Sequence, residues 1–124
     1  MRVLVIDDEP EIGKMIFRML KREDIEVLIA NSGKRGLQLI YENPDIDLVI
    51  TDLIMPEKEG IEIILELKRD FPELKILAMS GGGKVGPQDY LALAKGLGAD
   101  LTLSKPFLKI ELCQAVDKLI GGTS

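Results

Sequence analysis

The sequence of 124 residues contains no histidine and no tryptophan, and it has only one cysteine. Without histidine, neither a Ser-His-Asp triad nor a histidine general base can be built. A zinc site made of histidine and cysteine ligands is excluded for the same reason. The single Cys113 cannot form an internal disulfide bond, which is typical of a protein from a reducing compartment. The chemistry of this chain must therefore come from carboxylates, lysines and hydroxyl groups.

The sequence also lacks long apolar runs and any contiguous cluster of positive charge. No apolar run approaches the roughly 20 residues that a membrane-spanning helix needs, and the N-terminus has no apolar segment of signal-peptide length. There are 16 Lys and Arg residues against 21 Asp and Glu residues, which gives a net charge of −5. That balance disfavours direct binding to a nucleic-acid backbone. We expect a cytoplasmic protein that binds neither membrane nor nucleic acid directly.

What the chain does contain is an alternation of short apolar runs with amphipathic segments. The runs have the length and continuous apolar character of buried parallel strands; they lie at residues 3–6, 26–30, 47–51, 75–79 and 101–103. Apolar residues recur at helical spacing between them. The predicted helices begin at Pro10, after an N-cap at Ser32, after Gly60, in the segment through Tyr90 and Ala94, and at about Leu108, the last ending near Ile120. Five such units predict an α/β fold, a doubly wound parallel sheet with helices on both faces.

Polar residues collect where the predicted strands end. Asp7 and Asp8 follow the first strand, Asp52 follows the third, Ser80 the fourth and Lys105 the fifth. In an open parallel sheet, ligands bind outside the carboxyl ends of the strands, so these side chains are expected on one edge. Clustered carboxylates favour a hard cation such as Mg²⁺. A lysine and a hydroxyl beside them would offset the charge of a phosphoryl group, so the pocket predicts phosphoryl transfer onto a carboxylate.

Four segments, "VLVIDDEP", "DLVITDLIMPEKEG", "ILAMSG" and "GADLTLSKPF", resemble the receiver domains of response regulators in two-component signalling, including the chemotaxis regulators. The spacings from Asp8 to Asp52 and from Asp52 to Ser80 agree with that family. The resemblance extends over essentially the whole chain. It implies a flavodoxin-like fold with five helices and the strand order 2-1-3-4-5. It also implies a receiver domain at residues 1–121, followed by a tail or linker stub at 122–124.

The resemblance further implies a role for each pocket residue. Asp52 would be the phosphoacceptor, supplied by a phosphohistidine on a sensor histidine kinase or a histidine phosphotransfer protein. Lys105 would pair with the phosphoryl oxygens, and Ser80 would report the phosphorylated state to a downstream effector. The implied ligands of Mg²⁺ are the carboxylates of Asp7, Asp8 and Asp52 and the backbone carbonyl of Ile54. The peptide bond between Lys105 and Pro106 is implied to be cis.

Two features depart from the family pattern. The segment from Ser80 to Lys105 is longer than expected, with the excess in the glycine-rich residues 81–89. The position three residues before the lysine usually carries an aromatic side chain, and here it is Thr102. Both features leave open whether the usual coupling of hydroxyl and aromatic side chain operates in this chain.

Three classes of function compete for this sequence. The first is a phosphoacceptor receiver, which catalyses only its own phosphorylation and dephosphorylation and is otherwise not an enzyme. The second is a pseudo-receiver, an interaction module without phosphorylation. The third is a phosphatase of the haloacid-dehalogenase type, which needs a second Asp two residues after its nucleophile, where this chain has Ile54. Simpler structural roles are the alternatives: Asp7, Asp8 and Glu9 could cap the first helix, and Lys105 could be a solvated surface lysine.

Overall fold

A computed structural model describes residues 1–22, 24–53, 60–81, 92 and 94–121. Five strands form one sheet in the order β2-β1-β3-β4-β5, and every neighbouring pair is parallel. The strands are β1 (Arg2–Ile6), β2 (Glu26–Ala30), β3 (Leu48–Asp52), β4 (Lys75–Ser80) and β5 (Leu101–Ser104). The predicted doubly wound fold and its strand order are therefore confirmed.

Helices connect the strands. They are α1 (Pro10–Met19), α2 (Gly33–Glu42), α3 (Gly60–Asp70), α4 (described at residues 92 and 94–97) and α5 (Lys109–Val116). The predicted N-cap of α2 is confirmed, because the Ser32 hydroxyl accepts a hydrogen bond from the Arg35 backbone N–H at 3.1 Å. The predicted last helix differs at its end, where α5 widens into a π-helical turn at Asp117–Gly121. Tyr90, which the sequence places in the fourth helix, lies outside the described residues. Among the described residues, none of the helices has the length and apolar character of a membrane span.

The sheet carries a hydrophobic core on each face. Leu4 and Ile6 of β1 belong to the core shared with α2 and α3, whereas Val3 and Val5 belong to the core shared with α1 and α5. Successive residues of a strand point to opposite faces, so a strand buried on both sides is apolar at every position. Burial of each such side chain contributes about 1.5–3 kcal/mol, which holds the strand ends in a fixed arrangement.

Three strands extend one residue beyond the predicted apolar runs. β3 includes Asp52, β4 includes Ser80 and β5 includes Ser104. These polar residues join the sheet because backbone N–H and C=O groups form ladder hydrogen bonds whatever the side chain is. Asp52 is in register with Met79, and Ser80 with Ser104. Two predicted site residues therefore sit on strands rather than in the loops after them.

Candidate functional site

Three carboxylates meet at the carboxyl edge of the sheet. Asp7 and Asp8 follow β1 directly, and Asp52 ends β3, the strand next to β1. One carboxylate oxygen from each of the three lies within 4.8 Å of the others. Asp7 is 1% exposed and Asp52 is 6% exposed, while Asp8 is half-buried. Because β1 and β3 are neighbours in space but distant in sequence, the fold alone produces this cluster.

Lys105 supplies the positive charge of the pocket. Its Nζ donates a hydrogen bond to Asp7 Oδ2 at 2.8 Å and lies 3.4 Å from Asp52 Oδ2. Burial by itself would lower the pKa of Lys105, but the hydrogen bond to Asp7 and the negative charges of Asp52 and Asp7 raise it above its ordinary value. The lysine therefore remains an ammonium at neutral pH. The peptide bond to Pro106 is cis, as the family resemblance implies.

Asp7 uses both of its carboxylate oxygens. Oδ2 accepts from Lys105, and Oδ1 accepts from the backbone N–H of Glu9 at 2.9 Å, just before α1 begins. Glu9 is the N-cap residue of α1 and makes no side-chain cap hydrogen bond, so Asp7 contacts the turn that leads into the helix while it also belongs to the acidic cluster. Three carboxylates and one ammonium give the pocket an excess of negative charge when all are ionised. An arrangement of this charge and ligand type fits Mg²⁺, which prefers carboxylate oxygens and retains several waters.

Ser80 contributes a buried hydroxyl at the same edge. The residue is 1% exposed, and its Oγ has no hydrogen-bond partner within the described ranges. A buried polar group left in this way costs about 1–3 kcal/mol, so an unpaired hydroxyl at a strand end points to an absent acceptor. A phosphoryl oxygen has the chemistry to be that acceptor. The pocket thus holds a donor whose partner the described residues do not supply.

Two glycines shape the pocket, and sequence reasoning did not identify them as site residues. A Cβ atom on Gly60 would overlap the backbone carbonyl oxygen of Asp52 and lie 2.7 Å from the Cα of Leu53. A Cβ atom on Gly81 would overlap the Cβ of Lys105 and lie 2.9 Å from its carbonyl oxygen. Glycine at these positions lets α3 start beside Asp52 and lets Lys105 pass close to the end of β4.

Other predicted features fall partly outside the described residues. Ile54 is one, so its carbonyl ligand stays a prediction, and of the glycine-rich residues 81–89 only Gly81 is described. Thr102 is half-buried on β5 in register with Ala78.

The fold and the site define a doubly wound α/β domain with an acidic, lysine-containing pocket at the carboxyl edge of its sheet. The profile of the response regulator receiver domain family matches residues 3–117. The chain therefore belongs to the response regulator receiver domain family of two-component signalling. The exact boundary at residue 121 stays a prediction.

Individual relatives agree with this assignment. The chain is 34% identical over 122 residues to the cell cycle response regulator CtrA of Brucella ovis, and the match covers 97% of this chain and 50% of that protein. A receiver domain protein from Clostridium thermocellum has a crystal structure similar to this one, with a TM-score of 0.88 at 36% identity, covering 97% of this chain and 94% of that chain. A putative two-component response regulator with a GGDEF domain has a TM-score of 0.88 at 28% identity, with coverage of 98% and 49%. The chain spans about half the length of the curated relatives it matches.

Proposed function

We propose that this chain is the phosphoacceptor receiver of a two-component phosphorelay. A sensor histidine kinase or a histidine phosphotransfer protein would supply the phosphoryl group from a phosphohistidine, and Asp52 would accept it. The observation that carries the proposal is the position of Asp52, which ends a buried strand beside two other carboxylates and the ammonium of Lys105. The consequence of transfer would be a change in the partners that the domain binds.

The chemical step uses a carboxylate oxygen of Asp52 as the nucleophile. A bond forms between this oxygen and phosphorus while the bond between phosphorus and the donor imidazole nitrogen breaks. The freed ring nitrogen leaves with the electron pair of that bond and takes up a proton from solvent. Lys105, held near Asp52 by its hydrogen bond to Asp7, would offset the charge of the phosphoryl oxygens. The Ser80 hydroxyl would donate to one of those oxygens.

The acidic cluster would hold the metal that phosphoryl transfer needs. Asp7, Asp8 and Asp52 offer carboxylate oxygens within 4.8 Å of one another, and the backbone carbonyl of Ile54 would complete the protein ligands. When bound, Mg²⁺ supplies positive charge to the phosphoryl oxygens as they approach the acidic pocket. The negative charge of the three carboxylates would repel an arriving phosphoryl group. Lys105 and the metal would both offset that charge.

The pseudo-receiver is the alternative that the pocket argues against. An interaction module without phosphorylation has no need for a half-buried ammonium beside two buried carboxylates, since removing charge from water is costly. The haloacid-dehalogenase alternative lacks its general acid, because Ile54 stands at that position. The absence of a second acid there also fits an acyl phosphate that hydrolyses slowly.

Phosphorylation of the chain by acetyl phosphate in the presence of Mg²⁺ tests the proposal. We expect one base-labile phosphoryl adduct by intact-mass spectrometry and none on the Asp52→Asn variant. Asp24→Asn, which changes a highly exposed aspartate, is the matched control and should be phosphorylated like the parent. Equal phosphorylation of Asp52→Asn would show that the site is wrong, and no uptake by the parent, together with no fluoroberyllate binding, would favour the pseudo-receiver.

A further inference from the structure

A groove lies on the side of α1 that faces away from α5. Met15 and Met19 of α1 pack against the core that α1 shares with α5. On the other side of the helix, Lys14 and Phe17, together with Lys21 just beyond the helix end, line a groove of about 450 Å³ beside Ile29 of β2. β2 is an edge strand, so the groove runs along the border of the sheet.

The groove carries a concentration of positive charge. Lys14 and Arg18 are exposed four residues apart on α1, which places them on one side of the helix, and the exposed Lys21 follows just after the helix ends; all three line the groove. None of the three makes an ion pair within the ranges that the structure describes. An adjoining concavity shares Lys14 and Ile29 and adds Arg35 at its far end. In a chain with a net charge of −5, this surface attracts a partner of opposite charge.

Apolar surface lies between these cations. Phe17 and Ile29 are each 41% exposed and both line the groove. An aromatic and a branched aliphatic side chain, side by side in a concave surface, are typical of a site that takes an apolar side chain from a partner. The combination is more specific than a basic helix alone, because a complementary partner must present negative charge and an apolar side chain at the same place.

We propose that this groove binds an acidic segment of a partner protein, with carboxylates facing Lys14, Arg18 and Lys21 and an apolar side chain over Phe17 and Ile29. Nucleic acid would satisfy the cations but leave the two apolar side chains uncovered. An anionic membrane is flat, whereas the groove is concave and accommodates a protruding side chain of a protein segment. The proposal does not rest on phosphorylation, because the groove contains none of the pocket residues.

An NMR titration of the ¹⁵N-labelled chain with a synthetic peptide, acetyl-Glu-Glu-Leu-Glu-Glu-Leu-Glu-Glu-amide, tests this proposal. We expect the largest amide shifts at Phe17, Lys21 and Ile29, and weaker binding as salt rises. Peptides with Gln for Glu, or with Ser for Leu, should each bind more weakly. A double variant, Lys14→Glu with Lys21→Glu, should lose roughly tenfold or more in affinity, since like charges then face each other.

The matched control is the double variant Lys75→Glu with Lys109→Glu, which makes the same change in net charge at two exposed lysines outside the groove. It should bind the peptide like the parent. The proposal is overturned if both double variants lose affinity equally, if the amide shifts lie elsewhere, or if the parent does not bind the peptide. Sedimentation showing self-association that Lys14→Glu with Lys21→Glu abolishes would assign the groove to a second copy, and binding to phosphatidylserine vesicles alone would assign it to a membrane. Asp52→Asn should bind the peptide normally, which separates this test from that of the phosphoacceptor.

Discussion

The three carboxylates of the pocket differ in how their charge is compensated. Asp7 accepts hydrogen bonds from Lys105 and from the backbone N–H of Glu9, and Asp52 lies 3.4 Å from the same ammonium. Asp8 is half-buried and makes neither a hydrogen bond nor an ion pair with any residue that the structure describes. In the metal-free pocket, the negative charge of Asp8 is therefore the least compensated of the three, and Asp8 is the carboxylate most affected by repulsion from the other two.

Neutralising Asp8 should stabilise the metal-free protein. We expect Asp8→Asn to raise the free energy of unfolding in EDTA by about 1 kcal/mol, the scale of the repulsion between two unit charges about 4 Å apart in water. Asp7→Asn should lower the free energy of unfolding, because the variant weakens the hydrogen bond with the half-buried ammonium of Lys105. Urea denaturation measures both, and Glu73→Gln, at an exposed acid in the turn before β4, is the control. A less stable Asp8→Asn would mean that the carboxylates are not electrostatically crowded.

Ser80 and Thr51 provide a second comparison between single side chains. Both are buried, but only Thr51 has a partner in the described structure, the carbonyl oxygen of Asp52 at 3.0 Å. Ser80→Ala removes an unsatisfied hydroxyl and should leave the free energy of unfolding unchanged or raise it by up to about 1 kcal/mol. Thr51→Val removes a made hydrogen bond and should lower it by about 1 kcal/mol. Thermal unfolding of both variants measures these changes. If Ser80→Ala lowers stability more than Thr51→Val does, the Ser80 hydroxyl has a hydrogen-bond partner.

At the scale of elements, α2 and α3 are linked by one tyrosine. The Tyr41 ring packs against Phe71 with centroids 5.2 Å apart, and its hydroxyl donates to Asp70, with Glu66 Oε2 3.3 Å from the same hydroxyl oxygen. Hydrogen bonds from Arg69 and Tyr41 lower the pKa of Asp70 to about 2, and the bond to Asp70 raises the pKa of Tyr41 to about 12. Each helix thus contributes one member of a pair whose titrations are coupled.

The sign of the pH effect follows from the direction of the Asp70 shift. A carboxyl whose pKa is lower in the folded state stabilises the fold fully above its unfolded value, about 4, and the contribution is lost as pH falls towards 2. The stability of Asp70→Asn should therefore decline less than that of the parent over this interval. Urea denaturation at several pH values measures the difference, and absorbance titration should show the Tyr41 pKa falling from about 12 towards 10 in the same variant. If the free energies of unfolding of the parent and of Asp70→Asn fall equally with pH, the lowered pKa of Asp70 does not contribute to stability.

The contact between α3 and β3 depends on a glycine at the first position of the helix. Gly60→Ala would push the helix start away from the Asp52 carbonyl and should lower the free energy of unfolding by about 1–3 kcal/mol. Gly96 in α4 is the matched control, because a Cβ atom there meets nothing within 4 Å. Gly96→Ala should raise stability by about 0.5–1 kcal/mol, as expected for glycine in a helix. Chemical denaturation compares the two, and equal effects would show that α3 accommodates the methyl group.

At the scale of the whole molecule, the metal pocket exists only when the ends of β1 and β3 are neighbours. Mg²⁺ that binds this arrangement and not the unfolded chain should raise the melting temperature, and at a hundred times its Kd it would add about 2.7 kcal/mol. Asp8→Asn should lose most of this response, while NaCl at equal ionic strength is the control for screening. Calorimetry with and without EDTA measures the shift, and an unchanged melting temperature would argue against the pocket.

Much of this molecule was predictable from local pattern. Strands buried on both faces must be apolar at consecutive positions, and the fully buried runs at residues 3–6 and 76–79 therefore predict β1 and β4 from local pattern alone. Helix signals such as Pro10 and Ser32 are equally local, because caps involve residues within one turn. The sheet rule that ligands gather at carboxyl ends then indicated one edge for the acids, the serine and the lysine.

The sequence by itself determined the fold class and the family, since both depend on patterns repeated along the chain and on motifs in a recognisable order. Only the tertiary structure decided that Lys105 bonds to Asp7 more closely than to Asp52 and that Gly60 packs on the Asp52 carbonyl. It also decided that the cations on α1 and just after its end share a groove with Ile29 of β2. The physical reason is that such distances, between residues far apart in the chain, are set by how helices and strands pack on the sheet, and no local pattern specifies them.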